Sequence, residues 1–238
     1  MKYLKLSIIS GNDITFRRFP VKRIVNAGYV GRDLQAVKAH IEELSREGVP
    51  PPPSVPMIFP VLSHNITMAN KIEVIGSKTS GEIEFVLLLD KGEVFVGVGS
   101  DHTDREIERY SIAKSKQVCQ NVLSSQVWRY EDVESCWDDL LLQSWAKQAE
   151  GDDWFLYQKA LLSTMISAAE LTSLVKSGIK DGECEGLVIF SGTTPSITGE
   201  IIFGCGFRSE LIDQKRGRRL TCEYNVQKLE YLKRSESL

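Results

Sequence analysis

The stretch GEIEFVLLLDKGEVFVGVGSD, residues 81–101, constrains this chain more than any other. Two runs rich in Val, Ile, Leu and Phe flank Asp90-Lys91-Gly92-Glu93, the pattern of two strands joined by a two-residue turn. With that turn, Asp90 faces Glu93 and every later pair keeps the same sum of residue numbers, so Glu82 faces Asp101. Side chains alternate along a strand, which puts Glu84 on the side of Glu82, opposite Gly99, a residue with no side chain to fill the space between the acids. Opposed β-carbons lie only about 5 Å apart and diagonal ones about 7–8 Å. Glu82, Glu84 and Asp101 therefore converge on one small volume.

Like charges opposed in this way destabilise a sheet, and carboxylates sharing a partly buried site take up protons or require a cation. A divalent ion held by oxygen ligands relieves the repulsion and supplies a Lewis acid. The alternative is a solvated rim whose acids face water. A bulge at Gly92 would shift one strand by a residue and separate them.

The remaining composition excludes several function classes. The chain has 238 residues, of which 42% are hydrophobic and 26% charged, enough to bury one substantial core. Its formal net charge is -3 with the basic residues scattered, so it lacks the electrostatic footprint of a nucleic-acid binder and a small partner is expected. The amino end lacks the apolar stretch of a signal peptide, and no window reaches the roughly 18–20 apolar residues that cross a bilayer. A soluble cytoplasmic protein with no membrane partner is expected. Five cysteines, odd in number and without close pairing, argue for reduced thiols rather than a disulfide framework or a zinc knuckle. The sequon Asn65-Ile66-Thr67 is then idle.

Alternation around Gly11-Asn12 predicts an amino-terminal hairpin over 3–9 and 13–19. Asp33 can cap a helix in which Leu34, Val37, Ile41 and Leu44 recur at helical spacing, and Gly48 followed by the prolines stops it. The proline run 50–56 reads as a stiff linker, dividing residues 1–56 from a body at 57–238. Strands are expected at 71–75, 82–89 and 93–98, and again at 186–191, 199–207 and 219–226. Helices are expected at 130–148, from the spacing of Trp137, Leu140, Leu141 and Trp145, and at 153–176. The fold class is α+β, mainly antiparallel β.

Four short motifs, in order, resemble the fumarylacetoacetate hydrolase superfamily. Its members carry a Glu-x-Glu pair, an Asn-Asp-x-Ser-Ala-Arg-Asp segment, a Lys-Ser-Phe segment and Gly-Thr-Pro. The corresponding residues are Glu82-Ile83-Glu84, Ser100-Asp101-His102-Thr103-Asp104-Arg105-Glu106, Lys114-Ser115-Lys116 and Gly192-Thr193-Thr194-Pro195. A fifth, HIEELSREGVPPPPSVPMIF, is similar to the family's lid segment, with His40 and Glu43 at the positions of a catalytic dyad. By spacing alone these two are an ordinary His and Glu sharing one flank of a helix.

The resemblance spans roughly residues 33–226 and implies a divergent branch with a mixed β-roll or sandwich, a few peripheral helices and a short amino-terminal lid helix. It also implies a homodimer, with Mg²⁺ or Mn²⁺ on Glu82, Glu84 and Asp101. Lys114 and Arg105 would polarise the oxygens of a 2-oxo acid or 1,3-dicarbonyl substrate, Thr193 would contact its carboxylate, and His40 oriented by Glu43 would activate water. The activity implied is hydrolysis of a C–C bond through a metal-bound enolate. Decarboxylation, isomerisation or dehydration on the same site, or a catalytically silent protein that binds a small acid or serves as a dimeric interaction module, are the alternatives. The chain departs from the pattern in three places. Its hairpin turn is tight where the family inserts a helix, Glu108 stands where a substrate-contacting glutamine is common, and His102 and Asp104 are unfamiliar. His64 has no motif support and reads as structural.

Overall fold

The computed structural model describes residues 1–35, 37, 38, 41, 42, 51, 52 and 54–232. The expected dyad, His40 and Glu43, lies outside the described residues, as does the expected helix stop at Gly48. The described residues between 34 and 42 are helical, and Asp33 caps them as expected: its carboxylate accepts from the Gln35 N–H (2.9 Å) and its carbonyl from the Val37 N–H (3.0 Å).

The first half of the chain supplies strands β1 (Lys2–Ser10), β2 (Asp13–Val21), β3 (Arg23–Gly28), β4 (Met57–Val61), β5 (Ile66–Thr67), β6 (Lys71–Val74) and β7 (Thr79–Ser80). The central hairpin is β8 (Ile83–Asp90) and β9 (Glu93–Asp101), followed by β10 (Thr103–Asp104) and helices α1 (Arg105–Glu108) and α2 (Ile112–Val118). After them come β11 (Asn121–Leu123), β12 (Gln126–Arg129), β13 (Leu141–Lys147), β14 (Phe155–Leu161), helix α3 (Ala168–Gly178), β15 (Leu187–Phe190), β16 (Gly206–Asp213) and β17 (Arg218–Lys228).

These form a ten-stranded sheet along the path β2-β1-β12-β9-β8-β15-β3-β4, with β11 and β5 attached at β9, a five-stranded sheet ordered β14-β13-β16-β17-β6, and a separate pair of β7 with β10. Most pairs are antiparallel, while β1–β12, β3–β15, β5–β11 and β6–β17 are parallel. The structure is mainly β with few helices, as the α+β class requires. Among the described residues no helix is long and apolar enough to cross a membrane, and all five cysteines are free.

Every residue of β8 is buried, because the ten-stranded sheet is covered on both faces. Phe85, Leu87 and Leu89 face the core shared with the five-stranded sheet, where the Trp137 ring meets Phe85 edge-on at 5.0 Å. Val86 and Leu88 face a second core with Leu4, Leu6, Phe19, Ile24 and Phe190, around which the large sheet curls.

The hairpin register is the one the turn predicts, with Asp90 opposite Glu93, Glu84 opposite Gly99 and Ile83 opposite Ser100. Lys91 (φ 51°) and Gly92 (φ 77°) both take positive φ, the requirement of a type I′ turn, and no bulge intervenes.

Three expectations need correction. Residues 130–148 are not a helix: short 3₁₀ turns at Tyr130–Asp132 and Glu134–Asp139 lead into β13, the second strand of the smaller sheet. The inward face of β13 carries Leu142, Ser144 and Ala146, and its two small residues hide the period of two. Of 153–176, the first part is β14, and the helix begins only at Ala168, behind a capping box of Ser167 and Glu170. The expected strand at 199–207 begins instead at Gly206 and runs to Asp213.

The division at residue 56 does not separate two sheets. β1 pairs with β12, β3 pairs with β15, and Arg17 on β2 binds both Asp90 (2.9 Å) and Glu93 at the hairpin turn.

Candidate metal site

The far end of the same hairpin carries the acids. Asp101 closes β9, Glu84 is the second residue of β8 and Glu82 precedes it, tied to Asp101 by the Asp101 N–H to Glu82 carbonyl bond at 3.1 Å. One oxygen of each carboxylate lies within 4.8 Å of the other two. Glu84 and Asp101 are 1% and 0% exposed, so the solvated-rim alternative fails.

Gly99 acts differently from the expectation. It leaves no vacancy: a β-carbon there would lie 2.5 Å from the Val122 carbonyl oxygen and 2.9 Å from the Phe190 ring. Its role is to let β11 approach, pairing Asn121 with Asp101.

Cations arrive from the two short helices. Asp104 caps α1, accepting from the Glu106 (2.9 Å) and Ile107 (3.0 Å) N–H groups. This places Arg105 between Glu82 (3.0 Å) and Glu108 (2.7 Å). Ser111 caps α2, whose only buried residues are Ser115 and Lys116. Lys116 binds Asp101 directly and stands 3.9 Å from Glu82.

Lys114, the lysine expected in the site, is exposed on the opposite flank of α2. Two residues are about 200° of helix rotation, so Lys116 and not Lys114 is the lysine that meets the acids. The pattern Ile112, Ser115, Lys116, Cys119, read at helical spacing from the Ser111 cap, was the signal available for the buried one.

The electrostatics follow from burial and these partners. Burial first, then the Asp101 and Glu82 charges, push the Glu84 carboxyl well above the usual range, against the pull of Lys116 and the Gly192 N–H (2.9 Å). Burial would also raise Glu82, but Arg105 and Lys116 outweigh it and hold that carboxyl low. Desolvation opposes the charge on Lys116, and the Asp101, Glu82 and Glu84 carboxylates overcome it, so the ammonium stays protonated. Burial raises Glu108 despite Arg105.

Thr193 lies beside the cluster with its hydroxyl committed: it donates to the Ile83 carbonyl (2.8 Å) and accepts from Gln158 Nε2 (2.9 Å). His102 is fully buried, and desolvation followed by the charge of Arg105 pushes it down to about 3, so it is neutral. Its Nδ1 meets the Tyr224 hydroxyl (3.0 Å), while Asp104 is occupied as a cap. His64 is exposed and its carbonyl accepts from Lys2 (3.0 Å), a structural role. Tyr29 was missed. It takes a positive φ of 58°, rare for a bulky residue, and its hydroxyl is raised by burial and then by the charge of Glu108.

A divalent cation fits this donor set. Glu84 Oε1 and Asp101 Oδ1 are buried oxygens without a hydrogen-bond partner among the described residues. Three carboxylates within reach of one another form a hard oxygen site of the kind Mg²⁺ and Mn²⁺ take.

The fold is shared with several solved structures. A crystal structure of 2-keto-3-deoxyarabinonate dehydratase aligns with a TM-score of 0.68 at 16% identity, covering 93% of this chain and 79% of that one. The 2-keto-3-deoxy-D-arabinonate dehydratase complexed with magnesium and 2,5-dioxopentanoate aligns at 0.62 and 18%, covering 92% and 78%. The 5-carboxymethyl-2-hydroxymuconate delta-isomerase from Mycobacterium smegmatis aligns at 0.61 and 15%, covering 91% and 81%. These neighbours are enzymes of the fumarylacetoacetate hydrolase type, and at such identities they show a shared fold. No curated protein sequence matches the chain. The chain belongs to the family DUF2848, described as a protein of unknown function, which matches residues 27–224.

Proposed function

We propose that this protein is a divalent-metal-dependent enzyme of the fumarylacetoacetate hydrolase superfamily, acting on a small 2-oxo acid or 1,3-dicarbonyl substrate through an enolate. The observation that carries the reading is the converged carboxylate triad, with two buried oxygens left over after Lys116 and Gly192 have been served. Glu82, Glu84 and Asp101 would hold Mg²⁺ or Mn²⁺, which supplies a Lewis acid to the substrate's oxygens.

Lys116 takes the role expected of Lys114. Its ammonium, kept charged by the carboxylates, donates to the oxygen on which negative charge develops, and low dielectric strengthens that contact. Arg105 holds Glu82 on one side and Glu108 on the other, so Glu108 would fix the guanidinium that meets the substrate. Thr193 braces the turn after β15 against β8 and keeps one lone pair free for a substrate donor. His40, oriented by Glu43, remains our choice of general base.

Hydrolysis of an acylpyruvate C–C bond requires that base to deliver water to the remote carbonyl. A second reading has a specific support: the structural neighbours include a dehydratase and an isomerase, reactions that need enolate stabilisation without an attacking water. The deciding experiment supplies acylpyruvates, β-keto acids and 3-deoxy-2-oxo acids with Mg²⁺, following enol absorbance and product mass. Gain of water denotes hydrolysis, its loss dehydration, and unchanged mass isomerisation. Turnover that survives both chelation and Glu84→Gln would refute the assignment.

A further inference from the structure

We infer that Tyr224 is a positioning residue for the metal ligands, fastening from behind the two strand ends that carry Glu82 and Asp101. The inference rests on the metal site proposed above. Tyr224 belongs to β17 in the five-stranded sheet, is 1% exposed, and stacks on Phe207 at 5.8 Å. Its hydroxyl crosses into the other sheet, where it bonds Ser100 Oγ (2.8 Å) and His102 Nδ1 (3.0 Å).

Those two residues flank Asp101. Alternation along the strand sends their side chains to the face opposite the acids, so the hydroxyl grips β9 where Asp101 projects the other way. The same contact reaches the Glu82 arm. The Glu82 N–H donates to Ser100 Oγ (3.0 Å), and a β-carbon on Gly81 would lie 2.6 Å from the Tyr224 oxygen. Glycine at 81 thus admits the hydroxyl against the backbone that leads into Glu82.

One oxygen therefore bonds residues 100 and 102 and lies close against residue 81, the immediate neighbours of two of the three ligands. The ladder is ending at this point: Glu82 lies outside β8, so its place depends on the Asp101 N–H bond and on the Ser100 hydroxyl. Three mutually repelling carboxylates push these ends apart, and a cation draws them together. A fastening of both ends to a second sheet presets their spacing before the ion arrives. Partners behind a ligand commonly change metal affinity by about 10–100-fold when removed.

The test is calorimetric titration of the chelator-treated full chain with MgCl₂. Tyr224→Phe removes only the hydroxyl, and its affinity should fall about tenfold or more. Ser100→Ala breaks the same chain at a smaller residue and stands in if Tyr224→Phe does not fold. Its loss, combined with that of Tyr224→Phe, should be less than multiplicative, because both act through one contact. Val133→Ala, a buried truncation between the 3₁₀ turns, serves as the control: it should lower the Tm and leave Mg²⁺ affinity unchanged. Wild-type affinity in Tyr224→Phe, or an equal loss in Val133→Ala, overturns the positioning role alone. Absence of Mg²⁺ and Mn²⁺ binding by the wild-type chain overturns the metal reading, and this inference with it.

Discussion

Lys116→Met removes the ammonium from the acidic cluster and keeps a side chain of similar reach. In chelated protein the triad is then left with Arg105, which touches Glu82, while Asp101 loses its direct cationic partner. Deleting one member of a buried pair typically costs about 3–5 kcal/mol. Protonation sets the ceiling. A carboxyl with an ordinary pKa near 4.3 takes about 1.4 kcal/mol per unit to neutralise, or about 3.7 kcal/mol at about pH 7.

The expected loss at neutral pH is therefore about 3–4 kcal/mol, and at about 2–4 °C per kcal/mol for a chain of this size the Tm falls by roughly 6–16 °C. Its pH dependence has a definite sign. The extra carboxyl binds its proton more tightly in the folded chain than in the unfolded one, so between the unfolded and folded pKa values stability rises as pH falls. The deficit against wild type should shrink to about 1 kcal/mol near pH 5. Thermal unfolding by circular dichroism in chelator, at both pH values, measures it. A deficit of equal size at both, or one below about 1 kcal/mol at neutral pH, would show that Lys116 does not neutralise the triad.

Two further perturbations separate charge from packing. Glu84→Gln retains an acceptor for the Gly192 N–H but removes one converging charge, so the chelated protein should be as stable as wild type or more so while Mg²⁺ affinity drops about tenfold or more, read by paired thermal unfolding and calorimetry. Gly99→Ala places a methyl group 2.5 Å from the Val122 carbonyl, and denaturant unfolding should show a loss of about 1–3 kcal/mol as β11 is forced away from Asp101.

The acids were legible in the sequence for a specific reason. A two-residue turn with glycine in its second place fixes a register, and alternation then carries that register along the strands without further information. Nothing distant has to be known to place Glu82, Glu84 and Asp101 on one side. Residues 130–148 lacked such an anchor. Trp137, Leu140, Leu141 and Trp145 sit at helical spacing, yet Trp137 is buried in a 3₁₀ turn and the other half of the segment is a strand, with Ser144 and Ala146 on its inward face. Small buried residues carry little hydrophobic signal, so the longer period dominates the pattern.

The cations belong to a different kind of inference. Which of Lys114 and Lys116 meets the acids depends on where α2 starts, and also on the fold bringing α2 beside β10 and β4, where Lys116 reaches Asp101 at the end of β9. The first could be read from Ser111; the second is a property of the whole fold, set by the Val86 and Leu88 face of β8 and the core around it. The same holds for Tyr224, which lies far along the chain and reaches the site only because two sheets pack face to face. Local turn chemistry thus assembles the repelling charges, and tertiary packing supplies what restrains them. A buried acidic rim that persists in a folded protein must therefore be held by residues its own hairpin cannot reveal.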